Sequence, residues 1–63
     1  SAWEQTITIN EAMKKLPERE QMIINLRFFE GRTQTEIAEE IGISQAQISR
    51  LEKNALKHLR KFV

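Results

Sequence analysis

The feature that most constrains this chain is a pair of helix-start signals set on either side of a single glycine. Thr33-Gln34-Thr35-Glu36 and Ser44-Gln45-Ala46-Gln47 each place a hydroxyl residue three positions before a Glu or Gln. At that spacing the hydroxyl accepts the N–H of the third helical residue, and the longer side chain reaches back to the N–H of the cap. Each tetrad therefore predicts the first turn of a helix, with two otherwise free donors satisfied. Gly42 can turn left-handed and so end the first helix, and only Ile43 stands between it and Ser44. A connection this short cannot lay the helices antiparallel, so they must cross steeply, as in a helix-turn-helix. Ala38 has to be small where the two approach closest, and Ile37, Ile41, Ile43, Ile48 and Leu51 are expected to fill the wedge. Such linked requirements are more specific than any lone motif, and a plain helical hairpin is the weaker reading.

The other breakpoints are Pro17 and Gly31. Apolar spacing is helical throughout, with no strand-like alternation. A first helix is predicted over about Thr8 to Lys15, capped by Thr6 or Thr8, with Ile9, Ala12, Met13 and Leu16 on one side. Pro17 is predicted as the first residue of a second helix, with Glu18 and Glu20 at its positive end. Ile23, Ile24, Leu26, Phe28 and Phe29 carry its apolar load up to Gly31. Two adjacent aromatics diverge on a helix, so one of Phe28 and Phe29 is expected in the core. The third helix opens at Thr33 and the fourth runs from Ser44 to about Lys61. The expected fold class is all-α, a four-helix helix-turn-helix bundle without a wing. The domain is expected over 8–62 with its helix-turn-helix at 33–61, and residues 1–7, Trp3 among them, as a linker or N-terminal extension. The chain starts at Ser1 without a methionine, so it is expected to be an excised piece of a longer protein.

A chain of 63 residues buries only a small core. It has no cysteine, which excludes disulfides and cysteine metal sites, and one histidine, His58, cannot replace them. No metal or other cofactor is implied. The lack of cysteine fits a reducing, cytoplasmic setting, and no apolar run approaches the ~20 residues that span a bilayer. There is no nucleophilic cysteine and no glycine-rich phosphate loop, and the acidic residues are read as capping or solvated, so enzymatic activity has no support.

The net charge of +1 conceals an asymmetry. Residues 17–43 carry three basic and six acidic side chains, a net −3. Residues 44–63 carry five basic (Arg50, Lys53, Lys57, Arg60, Lys61) and one acidic (Glu52), a net +4. A phosphate-facing surface is thus localised to the last helix, although basic residues in final turns also suit the helix dipole. At 3.6 residues per turn, Ile48, Leu51, Ala55, Leu59 and Phe62 form one stripe. Ala46, Arg50, Lys53 and Lys57 lie opposite, flanked by Ser49 and Arg60. A helix in the major groove offers its N-terminal turns to base edges, which places Gln45, Ala46, Ser49, Arg50 and Lys53 against DNA. Gln pairs with adenine, Arg with guanine, and an Ala methyl with that of thymine. Arg50 and Lys53 serve equally well as phosphate contacts. For Gln45 and Gln47 the plainer reading is a solvated glutamine, and Gln47 already has a task in its capping box. Thr33 and Gln34 open the supporting helix, whose N-terminus suits a phosphate. Arg27 and Arg32 flank it, either adding to that site or standing solvated near Glu30 and Glu36.

Taken in order, Leu16-Pro17-Glu18-Arg19-Glu20, Leu26-Arg27-Phe28-Phe29-Glu30-Gly31, Thr33-Gln34-Thr35-Glu36-Ile37-Ala38, Gly42-Ile43-Ser44-Gln45, Ser49-Arg50-Leu51-Glu52, Ala55-Leu56 and Leu59-Arg60 resemble region 4 of the bacterial sigma-70 family. The likeness covers Ile9 to about Lys61. The run Ile43 to Lys53 is most similar to the sporulation and stress-response branch. The resemblance implies binding to the −35 promoter element within RNA polymerase holoenzyme and docking on the flap of the β subunit. It also implies that anti-sigma proteins target the same surfaces. By position it assigns base reading to Gln45, Ala46 and Arg50, and backbone contact to Gln47 and Ser49; Thr33, Gln34 and Lys53 join the backbone set from the reading above. Primary sigma factors typically carry Arg and Glu where Gln45 and Ala46 stand, so a different −35 preference is expected. For flap or anti-sigma docking the candidates are Ile24, Phe28, Phe29, Leu56 and Leu59, of which Leu56 lies off the main apolar stripe.

Two rival functions remain open on sequence. One is the output domain of a response-regulator-type factor, dimeric on a palindrome, whereas a sigma domain is expected to be monomeric. The run Ser49-Arg50-Leu51-Glu52 and the basic last helix count against it. The other is a pure protein-docking module, for which the weak net charge speaks.

Overall fold

The protein is described from a computed structural model over residues 8–62. The expected linker at 1–7 lies outside the described residues. Helix α1 spans Ile9–Lys14, capped by the Thr8 hydroxyl, which accepts the Glu11 N–H at 3.2 Å. Helix α2 spans Glu18–Ile24. Pro17 is its cap rather than its first residue: ψ is extended at 146°, and its carbonyl accepts the Gln21 N–H at 3.0 Å, as a cap carbonyl does.

From Asn25 to Phe29 the helix widens into a π-helical turn, where the sequence predicts a regular continuation to Gly31. The Glu30 N–H donates to the Asn25 carbonyl at 3.0 Å, five residues back. Gly31, at φ 72°, then lets the Arg32 N–H close onto the Leu26 carbonyl at 3.0 Å. The expectation that one of Phe28 and Phe29 enters the core is overturned, since they are 53 % and 61 % exposed. Ile23, Ile24 and Leu26 supply the inward side of this stretch, so neither ring joins the two buried clusters.

Helices α3 (Gln34–Ile41) and α4 (Gln45–Arg60) begin where the two tetrads predict. The Thr33 N–H donates to Glu36 Oε1 at 2.8 Å and the Glu36 N–H to Thr33 Oγ1 at 3.1 Å. In the second box the Ser44 N–H donates to Gln47 Oε1 at 2.9 Å, and the Gln47 N–H to Ser44 Oγ at 3.1 Å. Between them Gly42 is left-handed at φ 86°, and the Ala38 carbonyl accepts both its N–H and that of Ile43, at 2.9 and 3.1 Å. Among the described residues there is no strand.

The stripe on α4 ties two clusters together. Ile48 packs with Ile23, Ile37 and Ala38, edged by Leu26, Ile41, Ile43 and Leu51. Ala55 and Leu59 pack with Ala12, Leu16 and Ile24, edged by Met13 and Phe62. Both clusters thus anchor α4 by one side, which leaves its opposite side in solvent.

Two acidic residues, Glu20 and Glu52, depart from the solvated role expected of them. Glu20 is buried, and its carboxylate meets His58 Nδ1 at 2.7 and 3.0 Å. A carboxylate taken out of water needs such a partner, and the contact clasps α2 to the last turns of α4. Likewise Arg27 Nε approaches Glu52 Oε1 at 2.7 Å. The N–H is not aimed along that line, so the contact is charge attraction rather than an aligned hydrogen bond.

Candidate nucleic-acid interface

The candidate surface is built by the capping chemistry. Ser44 starts α4 at the point where the left-handed Gly42 has turned the chain, and the buried Ile48 pins the first turns against α3. Gln45, Ala46, Gln47, Ser49, Arg50 and Lys53 are all exposed, so every residue assigned to DNA on α4 stands in solvent. Lys57 and Arg60 extend the basic face toward the C-terminus.

Gln47 is partly committed, because its oxygen accepts from the Ser44 backbone and also from the Ser44 hydroxyl at 3.2 Å. Its amide NH2 is the only part left to offer a phosphate. At the start of α3, Thr33 is exposed and Gln34 half-buried. Two of the helix-end donors there are taken by the capping box, leaving the N–H groups of Gln34 and Thr35 as those without an intrahelical partner. The Glu36 carboxyl is held below the ordinary carboxylate range, mainly by the Thr33 N–H, then by the Thr33 hydroxyl and the nearby Arg32.

Arg27 and Arg32 do not extend the site. Arg27 turns to Glu52 and to the Arg32 carbonyl at 3.3 Å, while Arg32 pairs with Glu40 and approaches Glu30 at 3.5 Å.

Two features have no forecast in the sequence. Gln45 Nε2 donates to Gln34 Oε1 at 2.6 Å, joining the reading helix to the supporting one. Both residues occupy the first helical position after a cap, a signal that could have suggested their proximity. The other is Arg19, which lines a cleft of about 300 Å³ with Gln47, Arg50 and Asn54 over Ile43 and Leu51. No local pattern links Arg19 to residues of α4.

A second surface lies elsewhere on the domain. Ile24, Phe28, Phe29, Leu56 and Leu59, the five docking candidates, meet with Ile9 around one entirely apolar groove of about 160 Å³. Ile24 and Leu59 form its buried floor, and the two phenylalanines stand at its rim.

A doubly capped helix pair joined through a left-handed glycine, with a polar and basic outer face, defines a helix-turn-helix module of the DNA-binding class. Residues 12–61 match the family described as Sigma-70, region 4, and the chain belongs to that family. It is 69 % identical over 62 residues to the RNA polymerase sigma-G factor of Clostridium acetobutylicum, covering 98 % of this chain and 24 % of that protein. To the sigma-G factor of Bacillus subtilis it is 56 % identical over 63 residues, covering 100 % and 24 %. To the sigma-F factor of Bacillus licheniformis it is 48 % identical over 58 residues, covering 92 % and 23 %. The chain therefore spans about a quarter of the length of these curated relatives. No solved structure matches it. The relatives are transcription factors of RNA polymerase rather than enzymes, and the response-regulator alternative gives way to the family match. No described helix is long and apolar enough to cross a membrane.

Proposed function

We propose that this domain recognises the promoter −35 element for an alternative sigma factor of the sporulation and stress-response branch, acting in the cytoplasm as part of RNA polymerase holoenzyme. The observation that carries the proposal is the exposure of Gln45, Ala46, Ser49, Arg50 and Lys53 on one side of a helix whose other side is buried. Gln45, Ala46 and Arg50 read base edges in the major groove. Thr33, Gln34, Gln47, Ser49 and Lys53 hold the backbone and set the register. The apolar groove between α2 and α4 docks on the β-subunit flap and is the surface an anti-sigma protein would cover. The domain is a monomer in isolation, and its modest net charge suffices because tethering to polymerase raises its effective concentration at the promoter.

The test is transcription from a cognate promoter by holoenzyme carrying Arg50→Ala or Gln45→Ala. Each variant is expected to lose activity about five- to a hundredfold, the worth of a bidentate base contact. Unchanged activity in both, with loss on changing Phe28 and Phe29, would leave a docking module that does not read DNA.

A further inference from the structure

The hydrogen bond between the two glutamines has a consequence for which base is read. A glutamine amide carries one acceptor oxygen and two donor hydrogens. Free to rotate, it can offer oxygen and hydrogen together, matching the N6–H donor and N7 acceptor of adenine, or turn both hydrogens toward N7 and O6 of guanine. In this domain one hydrogen of Gln45 Nε2 is given to Gln34 Oε1 at 2.6 Å. Gln34 is half-buried at the start of α3, while Gln45 is exposed at the start of α4. The acceptor therefore sits on a braced element and the donor on the reading helix.

We propose that Gln34 is a positioning residue for specificity: by engaging one amide hydrogen it sets the orientation of Gln45, so that Gln45 selects adenine and rejects guanine at the base pair it faces. With one hydrogen withdrawn, Gln45 presents its oxygen and its remaining hydrogen side by side, the complement of adenine. It lacks the second free hydrogen that a two-acceptor guanine edge requires. The rotamer freedom of a long polar side chain is also lost before DNA arrives rather than on binding. The proposal rests on the DNA-reading function put forward above and adds to it a role for Gln34 other than a phosphate contact.

The experiment selects duplexes from a pool with a randomised hexamer, using the 63-residue chain at low salt, and repeats the selection with variants. The pair read by Gln45 is the one whose preference vanishes in Gln45→Ala. There the wild type is expected to prefer A·T over G·C by about tenfold. Gln34→Leu, which keeps bulk without an acceptor, should reduce that ratio about three- to tenfold, the worth of one side-chain hydrogen bond. Other positions should keep their preferences, and Gln34→Leu should do nothing further to the ratio in a Gln45→Ala background. Gln34→Glu keeps an acceptor and should keep the ratio, even where its charge weakens binding to all sequences. Gln34→Lys offers only donors, should draw the Gln45 oxygen, and should move the preference toward G·C. A uniform loss in Gln34→Leu at every sequence, or an unchanged ratio in Gln34→Lys, overturns the positioning role while leaving DNA reading intact. Selection by the wild type that does not depend on Gln45 overturns both.

Discussion

Replacing Gly42 with alanine tests whether the turn between α3 and α4 is held by backbone freedom alone. Gly42 sits at φ 86°, and a Cβ built there meets nothing within 4 Å. No steric clash with a neighbour enters, so the effect is conformational. A left-handed alanine costs about 1–2 kcal/mol, of which the stiffer unfolded chain offsets about 0.4–1 kcal/mol. The net loss is about 1 kcal/mol. A domain of this size holds only about 3–5 kcal/mol in all, and that loss corresponds to a fall in Tm of about 4–8 °C. Asparagine visits the left-handed region more readily than other side-bearing residues, so Gly42→Asn is expected to lose less than half as much. Thermal and urea unfolding of the three proteins, followed by far-UV circular dichroism, measures the series. If Gly42→Ala were as stable as the wild type, or Gly42→Asn lost as much as Gly42→Ala, the left-handed turn would not be what the glycine provides.

Further outcomes follow from the same contacts. The Glu36 carboxyl is held below its ordinary value of 4.5, so its contribution is fully present above that pH and is lost as pH falls through the depressed folded value. Glu36→Gln keeps an acceptor for the Thr33 N–H without titrating, so the Tm of the wild type should drop relative to this variant below about pH 4.5 in a melting series. Glu20→Ala leaves His58 Nδ1 without its partner; with His58 partly exposed, the expected cost is about 1 kcal/mol, read from urea midpoints. Phe28→Ala and Phe29→Ala remove exposed rings and should change stability by no more than about 0.5 kcal/mol. The same changes should weaken capture of an immobilised β-flap fragment at least tenfold, whereas Leu59→Ala should destabilise the domain by about 2–5 kcal/mol.

The elements whose causes are local are the ones legible in the sequence. Both capping boxes depend on residues three apart, and Gly42 on its own backbone, so the tetrads and the turn are enough to specify the helix-turn-helix. The stripe from Ile48 to Phe62 follows from helical period alone. What escapes a sequence reading depends on partners distant in the chain. The burial of Glu20 is intelligible only beside His58, which lies far along the sequence on α4. The orientation of Arg27 is decided by Glu52, which faces it from another helix. Pro17 reads as a first helical residue rather than a cap because its fixed φ suits both positions. For the candidate site, helix angle alone locates the exposed face of α4, but not the contact that crosses from Gln45 to Gln34.

The π-helical turn gives the domain a tolerance of chain length that no side chain reveals. One residue more than an α-helix needs is held between Ile24 and Glu30, and the turn widens to take it up. Dropping Asn25 would restore ordinary pairing with little rotation of either ring relative to Ile24, because the wider turn already absorbs the extra residue. The rim of the groove would survive that loss, with every one of its apolar residues present and close to its old bearing. On that side of the molecule the backbone thus takes up a change in the count of amino acids that a regular helix would pass on to every residue beyond it.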